Sequence, residues 1–582
     1  MAKKGVSIFL LSLIASSTIN AKVSKDELKN HLKDIQVSYI KNIYLNNAYD
    51  PIWIKDNSLS PLGKELINQI KNDKTIAYDL PFYKLYKSVL KDINNKKFNT
   101  DLEIKLSNLY NQYMHYLIEG EIDWKEFMNY IQNLRKKYDY KVGYEIKRPP
   151  YSSAKILQNA ILGETFGNIF SQVEPKRFRY HQLKEYLVKF LHMHWQKVGM
   201  IPTLRVGSSN PAIAKIRKRL KLEGDLQGCN QSIDSTIYDN CLAKAVKRFK
   251  IRHGLKPNSI IDRRTRLEFN RSPMYYVKKI RLNLDRIKWS NRKEEKVRIE
   301  LNIPSFRLYL YDGNELVTTM RVVTGKPNHP TPVFSDIMTT IVVNPYWRIP
   351  ESIVKKEMIK HLIKNPHYYD RQHKFLYDGW GPNAKKIDPA TVNWAKYKDN
   401  KKHIPYHFMQ EPGYNNALGK IKFLFPNKYS VYIHDTPSKQ LFFRTKRAFS
   451  HGCMRIQKPR ELLEALALYN SNINVDKVMK ILGTNKRKVI ALRKWIPVDI
   501  TYFTAYVDSY GYLHFRDDVY GYDKAMLKSY GKYSKHKSKV KNSNKNKIKN
   551  KKVINSKKIH KDKNIIKDKN TIEDENIIEI GY

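Results

Sequence analysis

A chain of 582 residues is too long to close around one hydrophobic core, so two to four domains are expected. The formal net charge of +53, from 108 Lys and Arg against 55 Asp and Glu, excludes an acidic or balanced surface. After the first residues there is no apolar run of membrane-spanning length, which excludes a chain that crosses a bilayer repeatedly.

Met1 to Ala21 reads as a secretory signal: Lys3 and Lys4, an apolar core from Val6 to Ile14, then the small residue Ala21. It is either cleaved or kept as an anchor, and either way it sends the chain to an oxidising compartment, the periplasm. Export argues against nucleic acid as the partner of so much positive charge. Anionic envelope polymers or lipid heads suit it better, and a biased genome rich in Lys, Asn, Ile and Tyr is the competing cause. Residues 22–203 read as helices. Leu62, Leu66 and Ile70 share a face, as do Leu106, Leu109, Met114 and Leu117, and Leu183, Leu187 and Leu191 repeat the theme. Nothing in this stretch forms a catalytic constellation, so a scaffold role is expected. Residues 204–270 read as a compact unit of three helices, the third starting at an Asp262 N-cap. It carries Cys229 and Cys241. With Cys453 the count is three, which suits one disulfide between Cys229 and Cys241 and one free reactive thiol; two free cysteines are the other reading.

A linker helix is expected within 271–294. Strands follow, beginning with the alternation of Val297, Ile299, Leu301 and Ile303. A hairpin is expected from Phe306–Tyr311 through Asp312-Gly313 to 316–323, with further strands at 337–343, 420–425, 429–434 and 497–507. Residues 350–414 interrupt this β-rich body of 295–523 with a helix from Glu351 to Lys364 and then a segment rich in Tyr, Trp, Pro and Gly. This insertion is either a lid or a surface elaboration. From 524 to 582 the chain is basic and poor in aromatics, a composition that favours disorder.

The chemistry concentrates in Ser450-His451-Gly452-Cys453-Met454-Arg455, with His434 upstream at the end of a β-branched, aromatic run. A thiol at its free pKa of about 8.5 is only slightly ionised at neutral pH, so an adjacent imidazole is needed to take its proton. Gly452 removes a side chain beside the thiol, and backbone N–H groups there can face an oxyanion. A zinc site built from His434, His451 and Cys453 is a weaker alternative, because no fourth ligand is apparent. A peptidase acting on proteins would want an Asn or Asp orienter and a long cleft, and neither is identifiable.

The run from Tyr432 to Pro437, followed by Arg447 to Ile456, resembles the L,D-transpeptidase (YkuD-type) family, whose pattern is a histidine, a loop, then Ser/Thr-His-Gly-Cys, an apolar residue and Arg. Thr331 to Phe334, Asn344 to Pro350, Gln410 to Gly413, Asn416 to Gly419, Lys422 to Asn427 and Pro497 to Ala505 are similar to its large periplasmic, YcbB-type branch. The resemblance implies an α+β multi-domain fold: a helical scaffold, a small helical peptidoglycan-binding-like module, and a mainly-β catalytic domain with 350–414 as a capping insertion. It implies 3-3 cross-linking of peptidoglycan stem peptides, a donor tetrapeptide and an acceptor stem, through a Cys453 thioester. Carboxypeptidase activity follows if water resolves the thioester. The roles it implies are Cys453 as nucleophile, His434 as general acid and base, the Asp435 backbone as its orienter, His451 and Gly452 at the oxyanion site, and Ser450 as a brace. Arg455 serves either a substrate carboxylate or a structural ion pair, and Tyr346 and Trp347 either line the donor groove or pack a core. Carbapenem-type β-lactams are implied as inhibitors, and no metal or organic cofactor is needed. The Cys229–Cys241 segment departs from the module's usual pattern, so the module is either a glycan binder or a spacer. A non-catalytic wall-binding protein is the rival class.

Overall fold

The computed structural model describes residues 23–33, 38–140, 142–290, 295–380, 383–398 and 402–530. The expected signal sequence, 1–21, and the part of the expected 524–582 tail from 531 onward lie outside the described residues.

The N-terminal helices gather around Thr100–Ile118, which Asn99 starts by accepting from the Leu102 N–H at 3.1 Å. This helix is buried on almost every side, and Leu106, Leu109, Met114 and Leu117 lie in its core as their spacing predicts. Its Glu103 is also buried. The Glu103 carboxylate accepts from the Ile52 N–H at 2.7 Å, the Trp53 N–H at 3.1 Å and the Tyr44 hydroxyl at 2.8 Å, while the Trp53 indole N–H donates to Ser107 Oγ at 2.7 Å. These bonds fix the Pro51-Ile52-Trp53 turn. Burial nevertheless pushes the carboxyl up to about 7 against the pull of those donors.

Packing redraws three expected boundaries. Trp124–Tyr138, capped by Asp123, lies within the expected scaffold, yet Trp124, Phe127 and Ile131 share one hydrophobic core with the β domain, as do Val142 and Tyr144 just after it. Gly143 O accepts from the Val333 N–H at 2.9 Å and the Glu145 N–H donates to Val333 O at 2.8 Å, so this segment is stitched along the β domain. Pro273–Trp289, expected as a linker, is instead a buried strut. Its Arg286 and Lys279 pair with Asp523 at 2.6 and 3.2 Å, and its Lys288 donates to Tyr116 O at 2.6 Å. The expected tail boundary at 524 falls inside the helix Tyr522–Ser529, whose Tyr522 and Met526 are buried in the β domain's core.

The module holds the expected three helices, Ala212–Leu222, Asn240–Arg252 and Arg263–Phe269; Asp262 caps the third by accepting from the Thr265 N–H at 2.9 Å. Val198 and Ile201 join its core, so the unit begins before 204. Cys229 and Cys241 are joined by a disulfide with Cα atoms 5.7 Å apart.

The β domain is one nine-stranded sheet. Its strands are β1 (Val297–Asn302), β2 (Arg307–Asp312), β3 (Glu315–Gly325), β4 (Phe334–Val343), β5 (Ile421–Leu424), β6 (Ile433–His434), β7 (Ala448–Ser450), β8 (Met454–Ile456) and β9 (Lys488–Thr501). The order is β7-β3-β8-β6-β5-β4-β9-β1-β2, and β2 pairs back onto β3, which closes the sheet on itself. The alternation of Val297, Ile299 and Leu301 buries one face of β1, as its period requires. The strand expected over 429–434 shrinks to two residues. Ser430 sits at φ 57°, and the Asn427 carboxamide oxygen accepts from the Tyr429 and Val431 N–H groups, an Asx-type turn that competes with the ladder. The expected strand over 497–507 divides: β9 ends at Thr501, and Ala505–Val507 pairs separately with Leu513–Phe515.

The insertion is a body in its own right. Trp347–Arg348, His407–Gln410, Lys374–Tyr377 and Lys386–Ile387 form a four-stranded sheet over a core that includes Ile349, Val354, Leu362, Trp394 and Phe408. Helical turns run from Glu351 to Leu362, with a π-helical turn at Val354–Met358. Asn416 pins its stem, its side-chain N–H groups donating to the carbonyls of Pro345, Gln410 and Glu411.

Candidate active site

Three neighbouring strands bring the site together. Antiparallel β5 and β6 place Lys422 opposite His434, and parallel β6 and β8 place His434 opposite Arg455. Lys422, His434 and Arg455 are therefore adjacent across three strands, with Cys453 at the entrance to β8. Cys453 is free and half-buried, and Tyr432 is among the groups that favour its thiolate. The Lys422 ammonium stands 3.7 Å from the centre of the Tyr432 ring, whose centroid is 5.6 Å from that of His434.

The electrostatics differ from a simple thiolate–imidazolium pair. Burial pushes the Cys453 thiol up, opposed by Tyr432, Lys422 and Arg455. Burial, then the Arg455 guanidinium, pulls His434 down to about 3. Both shifts favour a neutral thiol beside a neutral imidazole. His434 Nδ1 donates to Asp435 O at 2.5 Å, which fixes the tautomer and leaves Nε2 as the nitrogen without a proton. The Asp435 carboxylate is committed elsewhere, accepting from the Lys420 N–H at 2.9 Å, the Thr436 N–H at 2.7 Å and the Lys439 ammonium. Burial also lowers Lys422 to about 8, while the neighbouring Cys453 favours its charged form.

The loop before the thiol is braced. Ser450 Oγ accepts from the Gly452 N–H at 3.2 Å and donates to Cys453 O at 2.6 Å. Thr331 Oγ1 donates to Gly452 O at 2.7 Å. The Gly452 N–H, one of the donors expected at the oxyanion site, is therefore spent on Ser450, and Gly452 contributes through its backbone shape. Its φ of 108° suits glycine alone, and a Cβ there would lie 2.1 Å from the Tyr140 hydroxyl. His451 turns its side chain toward the insertion, its Nε2 lying 2.9 Å from Glu357 Oε1.

Among the described residues, no three His, Cys, Asp or Glu side chains are grouped to hold a metal ion. The ring nitrogens of His434 and His451 that could serve as ligands are partly committed to Asp435 O and Glu357.

Residues 296–490 match the family model described as the YkuD L,D-transpeptidase catalytic domain, and residues 38–187 match a scaffold-domain model. The chain is thus similar to L,D-transpeptidases over its β domain and to a scaffold domain over its N-terminal helices. A putative L,D-transpeptidase of Haemophilus influenzae is 32% identical over 226 residues, covering 39% of this chain. The match spans 44% of that protein, less than half its length. Among solved structures, an L,D-transpeptidase from Mycobacterium smegmatis is similar at 12% identity over 35% of this chain and 58% of its own, with a TM-score of 0.17. One from Stackebrandtia nassauensis gives 11%, 51%, 94% and 0.20, and an L,D-transpeptidase in complex with imipenem gives 12%, 35%, 59% and 0.16.

Within the matched 296–490 segment, Arg455 makes no ion pair among the described residues, and its buried Nε has no hydrogen-bond partner. Trp347 packs against the insertion's core, and Tyr346 is 41% exposed beside it at the insertion's stem. Sequence reasoning gave no role to Lys422 or Tyr432, although both stood inside the quoted motifs; a strand register aligned on His434 would have flagged Lys422. Tyr140, far away in the chain, carried no sequence signal of a role.

Proposed function

We propose that the protein is a peptidoglycan L,D-transpeptidase that forms 3-3 cross-links through a cysteine thioester. One observation carries this reading: a half-buried thiol lies near two half-buried cations, Lys422 and Arg455, that make no ion pair among the described residues, with a neutral base on the adjoining strand. Such a site suits an amide flanked by carboxylates, which is what the end of a tetrapeptide stem presents. In the reading that follows, Arg455 receives a donor carboxylate through charge-assisted hydrogen bonds. Cys453 Sγ attacks the carbonyl of the third-position diamino acid while its proton passes to His434 Nε2. The oxyanion meets the Cys453 N–H. On collapse, the C–N bond breaks and the His434 proton goes to the departing D-alanine amine, leaving a thioester. The side-chain amine of an acceptor stem then attacks, gives its proton to His434, and expels the thiol. Water in place of the amine yields a shortened stem.

Export by residues 1–21 puts this chemistry in the periplasm, and the basic tail suits contact with anionic envelope surfaces. Muropeptides formed by the purified protein from tetrapeptide-bearing glycan test the assignment by mass spectrometry. Dimers linked between third-position residues are expected, and a carbapenem is expected to add once, on Cys453. Intact substrate and no adduct would leave the non-catalytic wall-binding reading in its place.

The insertion reaches the site through Glu357 and His451. As a lid it excludes water, which competes with the acceptor for the thioester. Replacing residues 350–414 with a short Gly-Ser linker is expected to lower cross-linking more than trimming, read from the dimer-to-tripeptide ratio. An equal fall in both products would point to a damaged donor site.

A further inference from the structure

Tyr140 belongs to the segment matched by the scaffold model and lies outside the matched catalytic domain. Its hydroxyl nevertheless donates to His451 O at 2.5 Å, across a sequence separation of 311. It occupies the space that a Cβ on Gly452 would need. Its ring lies 4.8 Å from that of His329, which in turn lies 4.9 Å from that of His451. The phenol is held by the fold on its own side: Val142 and Tyr144 next to it are buried in the shared core, and Gly143 is hydrogen-bonded to Val333.

The consequence follows from peptide geometry. The His451–Gly452 peptide unit is planar and is gripped at both ends, its C=O by Tyr140 and its N–H by Ser450 Oγ. The next unit is gripped at its C=O by Thr331. In a trans peptide the N–H points opposite to the C=O, so the direction of the Cys453 N–H is set by these anchors. Ser450 and Thr331 come from the catalytic domain's own sequence. Tyr140 supplies the remaining anchor from outside it.

We propose that Tyr140 is a positioning residue for acyl transfer, through which the scaffold segment aims the Cys453 N–H at the oxyanion. This rests on the transpeptidase reading. Burial, and then the nearby Cys453, keep the phenol protonated and so able to donate.

Tyr140→Phe removes the hydroxyl and keeps the packed ring. Two reactions of Cys453 in the full-length protein separate the roles. Acylation by a carbapenem or a tetrapeptide donor passes through an oxyanion, whereas alkylation by iodoacetamide does not. Expected for Tyr140→Phe is a fall of about 10-fold or more in the acylation rate constant, comparable to the loss of an oxyanion contact. Alkylation is expected within about 2-fold of wild type across pH 6–9, with donor KM unchanged, as for an interaction made only in the transition state. Equal acylation by wild type and variant would overturn the proposal. So would a parallel fall in acylation and alkylation, which signals general loosening of the loop. If the wild-type protein is acylated by neither reagent yet alkylated normally, the transpeptidase reading itself fails and this inference goes with it.

Discussion

Cys453→Ser is expected to lower 3-3 dimer formation by roughly 10⁴-fold or more, the scale seen when a nucleophile is removed from a preorganised site. The loss comes from chemistry and not from folding. A serine hydroxyl fits the space of the half-buried thiol. It cannot ionise as a thiol does, and the cations Lys422 and Arg455 that oppose the burial of a thiolate fall far short of stabilising an alkoxide. The melting temperature is expected to stay within about 2 °C of wild type. The variant should lose the carbapenem adduct entirely on intact mass. Dimers formed at the wild-type rate would show that the nucleophile lies elsewhere.

His434→Ala is expected to slow acylation by about 10²- to 10⁴-fold, the range for loss of a positioned acid–base group. The pH dependence gives a sharper test. Burial and Arg455 hold His434 down at about 3, so its base form is populated at every pH above that and lost only as pH falls through it. The acylation rate is therefore expected to show no inflection near 6.5, where a free imidazole would titrate. Because burial raises the thiol, alkylation of Cys453 by iodoacetamide should climb only in the alkaline range. Alkylation at pH 9 should change little in His434→Ala, since Tyr432, Lys422 and Arg455 are the groups that favour the thiolate. An alkylation profile with a midpoint near 6.5 that disappears in the variant would restore the ion-pair picture.

The candidate thiol and histidine were legible because both sit in short stretches whose composition is chemical and local. The strands around them were legible where alternation was strong, as in Val297, Ile299 and Leu301. Legibility failed where a side chain outside the local pattern decided the outcome. Asn427 diverts Tyr429–Tyr432 from the ladder although that run is rich in strand formers. Trp347, read as either groove or core, packs on the insertion because its strand pairs with His407–Gln410 in the insertion's own sheet. The boundaries at 203 and 523 followed changes in composition, but cores follow shape. Trp124 and Phe127 from one side and Tyr522 from the other share the β domain's interior. Tyr140 had no motif at all, and only the closed structure reveals that it stands over Gly452.

The buried strut Pro273–Trp289 bears on how this chain matures. Lys279 and Arg286 wait for a carboxylate that lies 244 and 237 residues further along. In a chain that emerges N-terminus first, two cations committed to the interior stay without their counter-charge until residue 523 has appeared. An unpaired buried charge costs several kcal/mol, so the strut cannot seat stably before that moment. A chain ended by a nonsense codon before Asp523 would keep every catalytic side chain and still lack the residue that lets the helices close on the β domain. Asp523 thus joins elements far apart in the chain: the strut keeps two cations buried where this late carboxylate is there to pair with them.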